Sequence, residues 1–276
     1  MIYALLSALF FGSADALWKP IISKYNYNSI ILSRTIFSLA FLVAFVILSD
    51  NLKLGTLSNY LLVIFLGTIS AVAFLLLIKA FELASTSIVI TLNSVTLIIS
   101  QITAFVFLDE LVNWKEYILV FAFIILAVFL LNNLKFKLNT GIKYAIASSV
   151  LFGVAYPLLA IPVQVIGAYQ TAALQEITLL FWIGIFVCKS KAKKKVQFLV
   201  NREVLLLALL SAGGISLLFF AYSFMEVYKV HLISSFYPIP ALLIAFFIYK
   251  EKISIYQFFG IVLSILSTYL IATNFI

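Results

Sequence analysis

Long apolar stretches, separated by short polar segments, make up almost the whole of this 276-residue chain. Each stretch is long enough to cross the hydrocarbon core of a bilayer as a helix, which takes about 20 residues. None shows the alternation of polar and apolar positions over about ten residues that is typical of a membrane β-barrel. The pattern therefore predicts an all-α polytopic membrane protein with ten transmembrane helices. We place them near residues 2–19, 28–48, 57–79, 86–107, 114–132, 142–160, 169–188, 203–224, 229–249 and 254–273.

The amino-acid composition supports this prediction. Apolar residues make up 65% of the chain and charged residues only 10%, which leaves too few polar side chains to cover a soluble protein of this size. Lipid must therefore surround most of the side chains. No stretch of domain size remains outside the predicted spans.

The chain repeats itself at an offset of 141 residues, because residues 1–135 align with residues 142–276 without a gap. A single register that holds from end to end indicates an internal structural repeat. Each copy contains five predicted spans, and an odd number of spans places the second copy upside down in the membrane. Inverted repeats of this kind are typical of alternating-access carriers with a site near the bilayer midplane. Identical aligned pairs include Tyr3 and Tyr144, Ser7 and Ser148, Gly12 and Gly153, and Glu110 and Glu251.

The net charge of +8 does not indicate nucleic-acid binding, because the basic residues lie in the loops between spans. The loops after the first, third, fifth, seventh and ninth spans hold 14 Lys and Arg residues, the other loops hold 3, and Arg34 completes the total of 18. By the positive-inside rule, this bias predicts that the basic loops face the cytoplasm and that both termini face outwards. We expect a multi-pass protein of the cell (inner) membrane, surrounded by membrane lipid.

Short motifs near the ends of spans resemble those of a known family. They are Phe11-Gly12-Ser13 before Lys19, Leu108-Asp109-Glu110 before Val112-Asn113-Trp114, and Tyr249-Lys250-Glu251-Lys252-Ile253-Ser254. Together with the five-plus-five arrangement, the whole chain looks like the EamA-type carriers of the drug/metabolite transporter superfamily. This resemblance implies a basket of helices in which spans 1, 3, 4, 6, 8 and 9 line a central cavity and spans 5 and 10 are peripheral. It also implies the transport of small organic solutes such as amino acids, amines or metabolites.

The loop after the second span departs from the family pattern. Members of the family usually look cytoplasmic at both termini and carry a basic loop at this position, but here the loop holds only Lys53. We follow the charge count of this chain, because inverted-repeat proteins can be inserted either way up.

Two charged residues of the first two spans are expected to meet. Charged side chains inside a membrane are costly and therefore indicate function. Asp15 lies four residues before Lys19, and Arg34 lies about six residues into the second span. At a rise of 1.5 Å per residue, both lie roughly 6–9 Å from the same membrane face, and we expect an Asp15–Arg34 ion pair. This pair is either purely structural, or it opens so that Asp15 binds a cationic substrate or a proton.

Glu176 enters the membrane from the opposite face, about seven residues into the seventh span. The depth estimate separates it from Arg34 by roughly 10 Å, too far for direct contact, and brings it near Glu226, Lys229 and His231. Because burial among apolar residues favours the neutral form of a carboxylic acid, Glu176 is our first candidate for a proton carrier. The alternative is a structural hydrogen bond to Tyr156, Thr178 or another helix. His231 ordinarily titrates near neutral pH, and we expect it at the membrane interface, where a helix begins.

Polar stripes run along the fourth and ninth spans at steps of three and four residues, which places each stripe on one face of a helix. Such stripes either contact other helices or line a cavity, and the presence of Asn and His on matching stripes favours a cavity. The repeat pairs Asn93 with Ser234 and Asp15 with Tyr156, so that the two halves would contribute equivalent positions. The stripes consist of Asn93, Thr96, Ser100 and Thr103 in the fourth span and of His231, Ser234 and Pro238 in the ninth.

Aromatic residues supply 16% of the chain, and most of them would face lipid or pack between helices. Four lie in spans that the family resemblance assigns to the cavity: Trp18, Tyr156, Tyr222 and Tyr237. A ring beside a carboxylate suits a cationic amine through cation–π attraction, and it equally suits an aromatic or amphipathic solute. For Trp18, which precedes Lys19, a position in the aromatic belt at the membrane interface is the alternative.

The sequence thus predicts a secondary transporter that moves a small organic solute, preferably an amine or amino acid, by alternating access. The alternative is an exporter or translocator of drug-like or lipid-like amphipathic compounds. We expect no enzyme, cofactor or metal site, because the chain shows no nucleophile motif and no phosphate loop, and we expect protons as the candidate coupling ion. The candidate substrate-binding residues are Asp15, Trp18, Asn93, Tyr156, Glu176, Tyr222, Ser234 and Tyr237, and the candidates for coupling or gating are Glu176, Arg34 and His231.

Overall fold

The structure, a computed structural model, describes residues 1–49, 52–93, 95–110, 139–189, 196–234 and 236–248, together with a few single residues and pairs between 126 and 266. Within these ranges the chain is helical, with short turns between the helices. The helices are α1 (Ile2–Lys24), α2 (Tyr27–Ser49), α3 (Leu57–Leu83), α4 (Thr86–Leu92), α5 (Val95–Phe107), α6 (Thr140–Leu158), α7 (Ala160–Ile166), α8 (Ala168–Lys189), α9 (Arg202–Tyr222), α10 (Val227–Ser234) and α11 (Pro238–Phe247).

Eight helical segments of the described ranges are long and apolar enough to cross a membrane. They are α1, α2, α3, α8 and α9, and the continuous or broken segments Ile88–Phe107, Thr140–Ile166 and Val227–Phe247. They correspond to the predicted spans 1–4 and 6–9, which confirms that the described residues form several helices of membrane-spanning length. The predicted spans near 114–132 and 254–273 lie outside the described residues, apart from single positions.

Three of these spans consist of two shorter helices. The sixth span breaks at Leu159, two residues after Pro157, and the ninth span breaks just before Pro238. Proline has no N–H group and restricts the residue that precedes it, so a regular helix does not run through it undisturbed. The fourth span breaks between Leu92 and Val95, at a position similar to that of the ninth. Irregular backbone inside a membrane is tolerated where it faces protein or a cavity.

The helices pack in pairs that obey the sequence repeat. α1 packs against α9, and α3, which is equivalent to α9 in the repeat, packs against α6, which is equivalent to α1. In the same way, α11 packs against α1 and α5 packs against α6. α2 and α8 are equivalent to each other and are in direct contact. Each contact between the halves therefore has an equivalent contact.

Two buried hydrogen bonds repeat this relation at the level of atoms. The Ser7 hydroxyl donates to the carbonyl oxygen of Gly214 over 2.8 Å. The Ser148 hydroxyl donates to the carbonyl oxygen of Ala73, also over 2.8 Å. The offset of 141 residues relates Ser7 to Ser148 and Ala73 to Gly214, so the same bond is made twice between the two halves.

Gly12 and Gly153, another equivalent pair, allow two close helix crossings. A Cβ atom added at Gly12 would lie 2.2 Å from the carbonyl oxygen of Tyr237, at the start of α11. A Cβ atom added at Gly153 would lie 3.0 Å from the carbonyl oxygen of Thr96 and 2.5 Å from the Cβ of Ile99, both in α5. Small residues let transmembrane helices approach this closely, so the two crossings depend on glycine.

We expect Gly12→Leu and Gly153→Leu to lower the thermal unfolding midpoint of the purified protein. The added side chain forces α11 or α5 away, and overpacking of this kind costs about 1–3 kcal/mol or more. Gly184→Leu is the matched control, because a Cβ atom at Gly184 meets no atom within 4 Å. The unfolding midpoints are measured from tryptophan fluorescence while the protein is heated in detergent. Equal midpoints for all three variants would contradict the two crossings.

Candidate functional site

A central cavity of about 140 Å³ lies between the two halves of the bundle. One water molecule needs only about 10–15 Å³ on this scale, so the cavity holds several waters or part of a small solute. Spans 1, 3, 4, 6, 8 and 9 all contribute to its wall, as the family resemblance implies, and span 2 adds one charged residue. The wall consists of the charged Asp15 and Arg34, the polar Asn93, Thr96, Ser211, His231 and Ser234, the aromatic Phe11, Trp18, Phe74, Phe152, Tyr156 and Tyr237, and the apolar Ala14, Leu77, Leu97 and Leu218.

Most of the residues that the sequence analysis selected meet at this cavity. Six of the eight candidate substrate-binding residues line it, and so do Arg34 and His231. The other two, Glu176 and Tyr222, do not line it, but each hydrogen-bonds to a residue that does. The six that line the cavity are Asp15, Trp18, Asn93, Tyr156, Ser234 and Tyr237.

The buried charges pair differently from our prediction. Arg34 Nη1 donates to Glu176 Oε1 over 2.6 Å, and both side chains are buried. The expected Asp15–Arg34 ion pair was therefore wrong, and so was the expectation that Glu176 lies too far from Arg34 for direct contact. The depth estimate compared positions along the helix axes only. α2 and α8 lie side by side, and two long side chains bridge the remaining difference in depth.

The guanidinium of Arg34 contacts Glu176 and Phe74 and still has an N–H donor without an acceptor among the described residues. Its Cζ lies 4.9 Å from the centroid of the Phe74 ring, a distance at which cation–π attraction operates. Its Nε is buried, and the described residues offer that atom no acceptor. A guanidinium carries five N–H donors, so Arg34 can bind Glu176 and still donate towards the cavity.

Asp15 faces the cavity with only 8% of its surface exposed. Among the described residues its carboxylate makes no ion pair within 4.0 Å, whereas the ion pairs of this part of the chain join Arg34, Lys24, Lys79 and Lys229 to other carboxylates. Two carboxylates and one guanidinium therefore meet at the site. When all three are ionised they leave one net negative charge, which favours a cationic group.

Aromatic rings surround this charge. Trp18 lies one helical turn after Asp15, and its ring meets the Phe74 ring edge to face, with centroids 5.6 Å apart. On the opposite half, Phe152 and Tyr156 are stacked with centroids 4.9 Å apart. The prediction of an aromatic wall beside a carboxylate thus agrees with the geometry, and Trp18 lies in the core rather than in an interfacial belt.

The broken fourth and ninth spans bring polar groups into the cavity. Asn93 Oδ1 accepts hydrogen bonds from the Thr96 and Ser149 hydroxyls over 3.2 Å and 3.1 Å. The Tyr237 hydroxyl donates to a backbone carbonyl of α4, that of Ile90, over 2.7 Å. Ser234 Oγ is buried without a hydrogen-bond partner among the described residues, so its hydroxyl is available to a solute.

His231 lies deeper than we predicted. It is buried with 7% of its surface exposed, it lines the cavity, and its Nε2 shares a hydrogen bond of 2.8 Å with the Tyr222 hydroxyl. The expected interfacial position was wrong, because α10 begins at Val227 and carries His231 one turn into the bundle.

Several residues of the cavity wall are not among the sequence-predicted site residues. Phe11 and Phe152 line it from the two halves and are equivalent in the repeat, as part of the Phe-Gly motif, so the motif itself could have identified them. Phe74 and Leu77 gave no signal, because an apolar residue in the third span reads the same whether it faces lipid, another helix or a cavity.

We expect the Arg34–Glu176 pair to show strong coupling in stability. Arg34→Met or Glu176→Gln alone leaves an unpaired buried group and costs about 3–5 kcal/mol, whereas the double variant loses less than the sum of the two. The measurement is a double-mutant cycle on the unfolding midpoint. Additive effects of the two substitutions would show that the side chains do not interact.

Comparison with known proteins adds two positive findings. The model of the EamA-like transporter family matches the chain twice, over residues 1–133 and 139–273. One solved crystal structure of a protein is similar to this chain, with a TM-score of 0.72 and 14% sequence identity. The similarity covers 99% of this chain and 97% of the other. That likeness shows a shared fold. None of the curated proteins compared matches the sequence.

Proposed function

The chain belongs to the EamA-like transporter family, so it is a membrane transporter of small solutes, and on that premise we propose that it carries a small amine or amino acid. Solute and membrane lipid are then its partners. The observation that carries this proposal is the Asp15 carboxylate, which faces an aromatic-walled cavity without an ion-pair partner among the described residues.

The chemistry of an amine matches this wall. A protonated amine would place its charge beside Asp15 and against the rings of Trp18 and Tyr156, where cation–π attraction adds to the ion pair. The carboxylate of an amino acid would have the unused Nε donor of Arg34 and the hydroxyl of Ser234 within the same cavity. A zwitterion would thus find groups of both signs.

The transport cycle that we propose is alternating access by two inverted five-helix repeats, residues 1–135 and 142–276, with ten transmembrane helices in all. The paired helix contacts and the doubled serine hydrogen bond support equivalent halves. In this scheme one half rocks against the other around the cavity, as in other carriers with inverted repeats. The charge bias of the loops supports an orientation with both termini outside, and we place the protein in the cell (inner) membrane.

Proton coupling is a further part of the proposal, and Glu176 is its carrier. Glu176 accepts from Arg34 in the described state. Protonation of Glu176 would remove its charge and release the guanidinium, which then turns to Asp15 or to the solute. If the freed guanidinium turns to Asp15, a proton on Glu176 opposes the binding of an amine at Asp15. If it turns to the carboxylate of an amino acid, the proton favours binding of that solute.

A second candidate function is the export of drug-like or lipid-like amphipathic compounds. The observation in its favour is the aromatic and apolar majority of the cavity wall. This function requires the cavity to open sideways to the bilayer, whereas an amine or amino-acid carrier opens to water on each side. Competition by hydrophobic dyes, unaffected by the loss of Asp15, would favour this second function.

We expect an amine or amino acid to raise the thermal midpoint of the wild type and not that of Asp15→Asn. A ligand present at 100 times its Kd stabilises the folded state by about 2.7 kcal/mol. The panel contains amino acids, quaternary amines, nucleotide-like metabolites and sugars. Glu203→Gln, which removes a carboxylate from an exposed ion pair with Lys24, is the matched control and should respond like the wild type. Stabilisation by anionic compounds alone would contradict a site for cations.

We also expect uptake into proteoliposomes to depend on pH in the wild type and to lose that dependence in Glu176→Gln. The amide mimics the protonated acid permanently, so the variant no longer responds to protonation at position 176, and it should exchange solute without accumulating it. The measurement is the uptake of radiolabelled solute in acidic and in alkaline buffer. Uptake that is insensitive to pH in both proteins would remove the support for coupling through Glu176.

A further inference from the structure

A vestibule lies beyond the central cavity, at the membrane face where α5 ends and α10 begins. It has a volume of about 630 Å³ and is bounded by Glu110, by α7 and by the turn between α9 and α10. No described residue lines both the vestibule and the central cavity. The N terminus lies at the same face, because the amino group of Met1 contacts Met225 Sδ over 2.8 Å. The two spaces are therefore separate compartments near one end of the bundle.

One hydrogen-bonded residue pair connects the walls of the two compartments. Tyr222 lines the vestibule and His231 lines the central cavity. The Tyr222 hydroxyl and His231 Nε2 share a hydrogen bond of 2.8 Å. The Tyr222 ring is 1% exposed and stacks on Phe219, with centroids 5.8 Å apart. At this point the partition is as thin as one pair of hydrogen-bonded side chains.

Glu110 fixes the helix that carries His231. Its Oε1 and Oε2 accept the backbone N–H groups of Val227 and Tyr228, each over 2.8 Å. These are the first N–H groups of α10, which have no acceptor within the helix, and a carboxylate also suits the positive end of the helix dipole. The end of α5 in one half thereby holds the start of α10 in the other.

We propose that the Tyr222–His231 pair is the gate between the cavity and the vestibule, and that Glu110 holds this gate shut by fixing α10. The inference rests on the proposed function, because a gate has a role only in a chain that moves a solute through the cavity. It gives Tyr222 and His231 a task in the passage of the solute rather than in its binding.

The construction of α10 suits a moving part. The helix has eight residues and is separated from α11 by the break before Pro238. It can therefore turn with His231 while the crossing of α11 with Gly12 stays in place. The gate itself is a single hydrogen bond between the Tyr222 hydroxyl and the His231 ring, so the two side chains separate when this one bond breaks.

The test measures access to the cavity from each face of the membrane. Cys188 is the only cysteine of the chain, so a Cys188→Ala background with Ser234→Cys carries one reporter thiol in the cavity wall. A membrane-impermeant maleimide is added to sealed vesicles, once with the N-terminal face outwards and once inverted. We expect Tyr222→Phe to raise the labelling rate from the N-terminal face roughly three- to tenfold, the change in population that one neutral hydrogen bond is worth. Glu110→Gln should raise the rate from the same face.

The control is Tyr169→Phe, since the Tyr169 ring stacks on Phe220 and lines neither compartment. It should leave both labelling rates unchanged. The proposal is overturned by an unchanged rate in Tyr222→Phe, by an equal increase from both faces, or by fast labelling of the parent from the N-terminal face. Labelling requires no solute, so the gate is tested independently of the proposed function. If Tyr222→Phe raises labelling as expected but no amine or amino acid raises the thermal midpoint, the proposed function is refuted and the gate stands.

Discussion

The ion pair between Arg34 and Glu176 is the interaction on which the rest of the site depends. Both groups are buried between α2 and α8, where an ionised group without an opposite charge beside it is costly. α2 and α8 are also equivalent in the repeat, so the pair joins the two halves where they face each other. Its formation leaves Asp15 in the same bundle without an ion-pair partner among the described residues. Because Arg34 pairs with Glu176, the carboxylate left without an ion-pair partner is the one that lines the cavity.

The second constraint is the close packing of the halves around that charge. Gly12 and Gly153 let the first helix of each repeat cross the fourth span of the other repeat backbone to backbone. These crossings bring the broken, polar segments of the fourth and ninth spans to the cavity wall, where Asn93 and Ser234 lie. The result is a cavity lined by aromatic rings, by the Asp15 carboxylate and by Arg34, which is also paired with Glu176. This arrangement is the basis of the proposal that the solute is an amine or amino acid.

The sequence predicted much of this arrangement because lipid imposes a simple rule on it. A span must be continuously apolar, so each polar residue within it, such as Asn93, needs an internal partner or a cavity. The repeat then related Asp15 in the first half to Tyr156 in the second. The pairing of Arg34 could not be predicted, because it depends on how helices from distant parts of the chain pack and how far long side chains reach. The depth of His231 depended likewise on where the turn before α10 ends. A cavity wall of Phe or Leu is indistinguishable in sequence from a lipid-facing surface.

Currents on a solid-supported membrane test the central claim most directly. Proteoliposomes containing the wild type are exposed to a jump in the concentration of a cationic amine or an amino acid. The account predicts a saturable transport current that Asp15→Asn abolishes. A current of equal size in Asp15→Asn, or a current with anionic solutes alone, would contradict it.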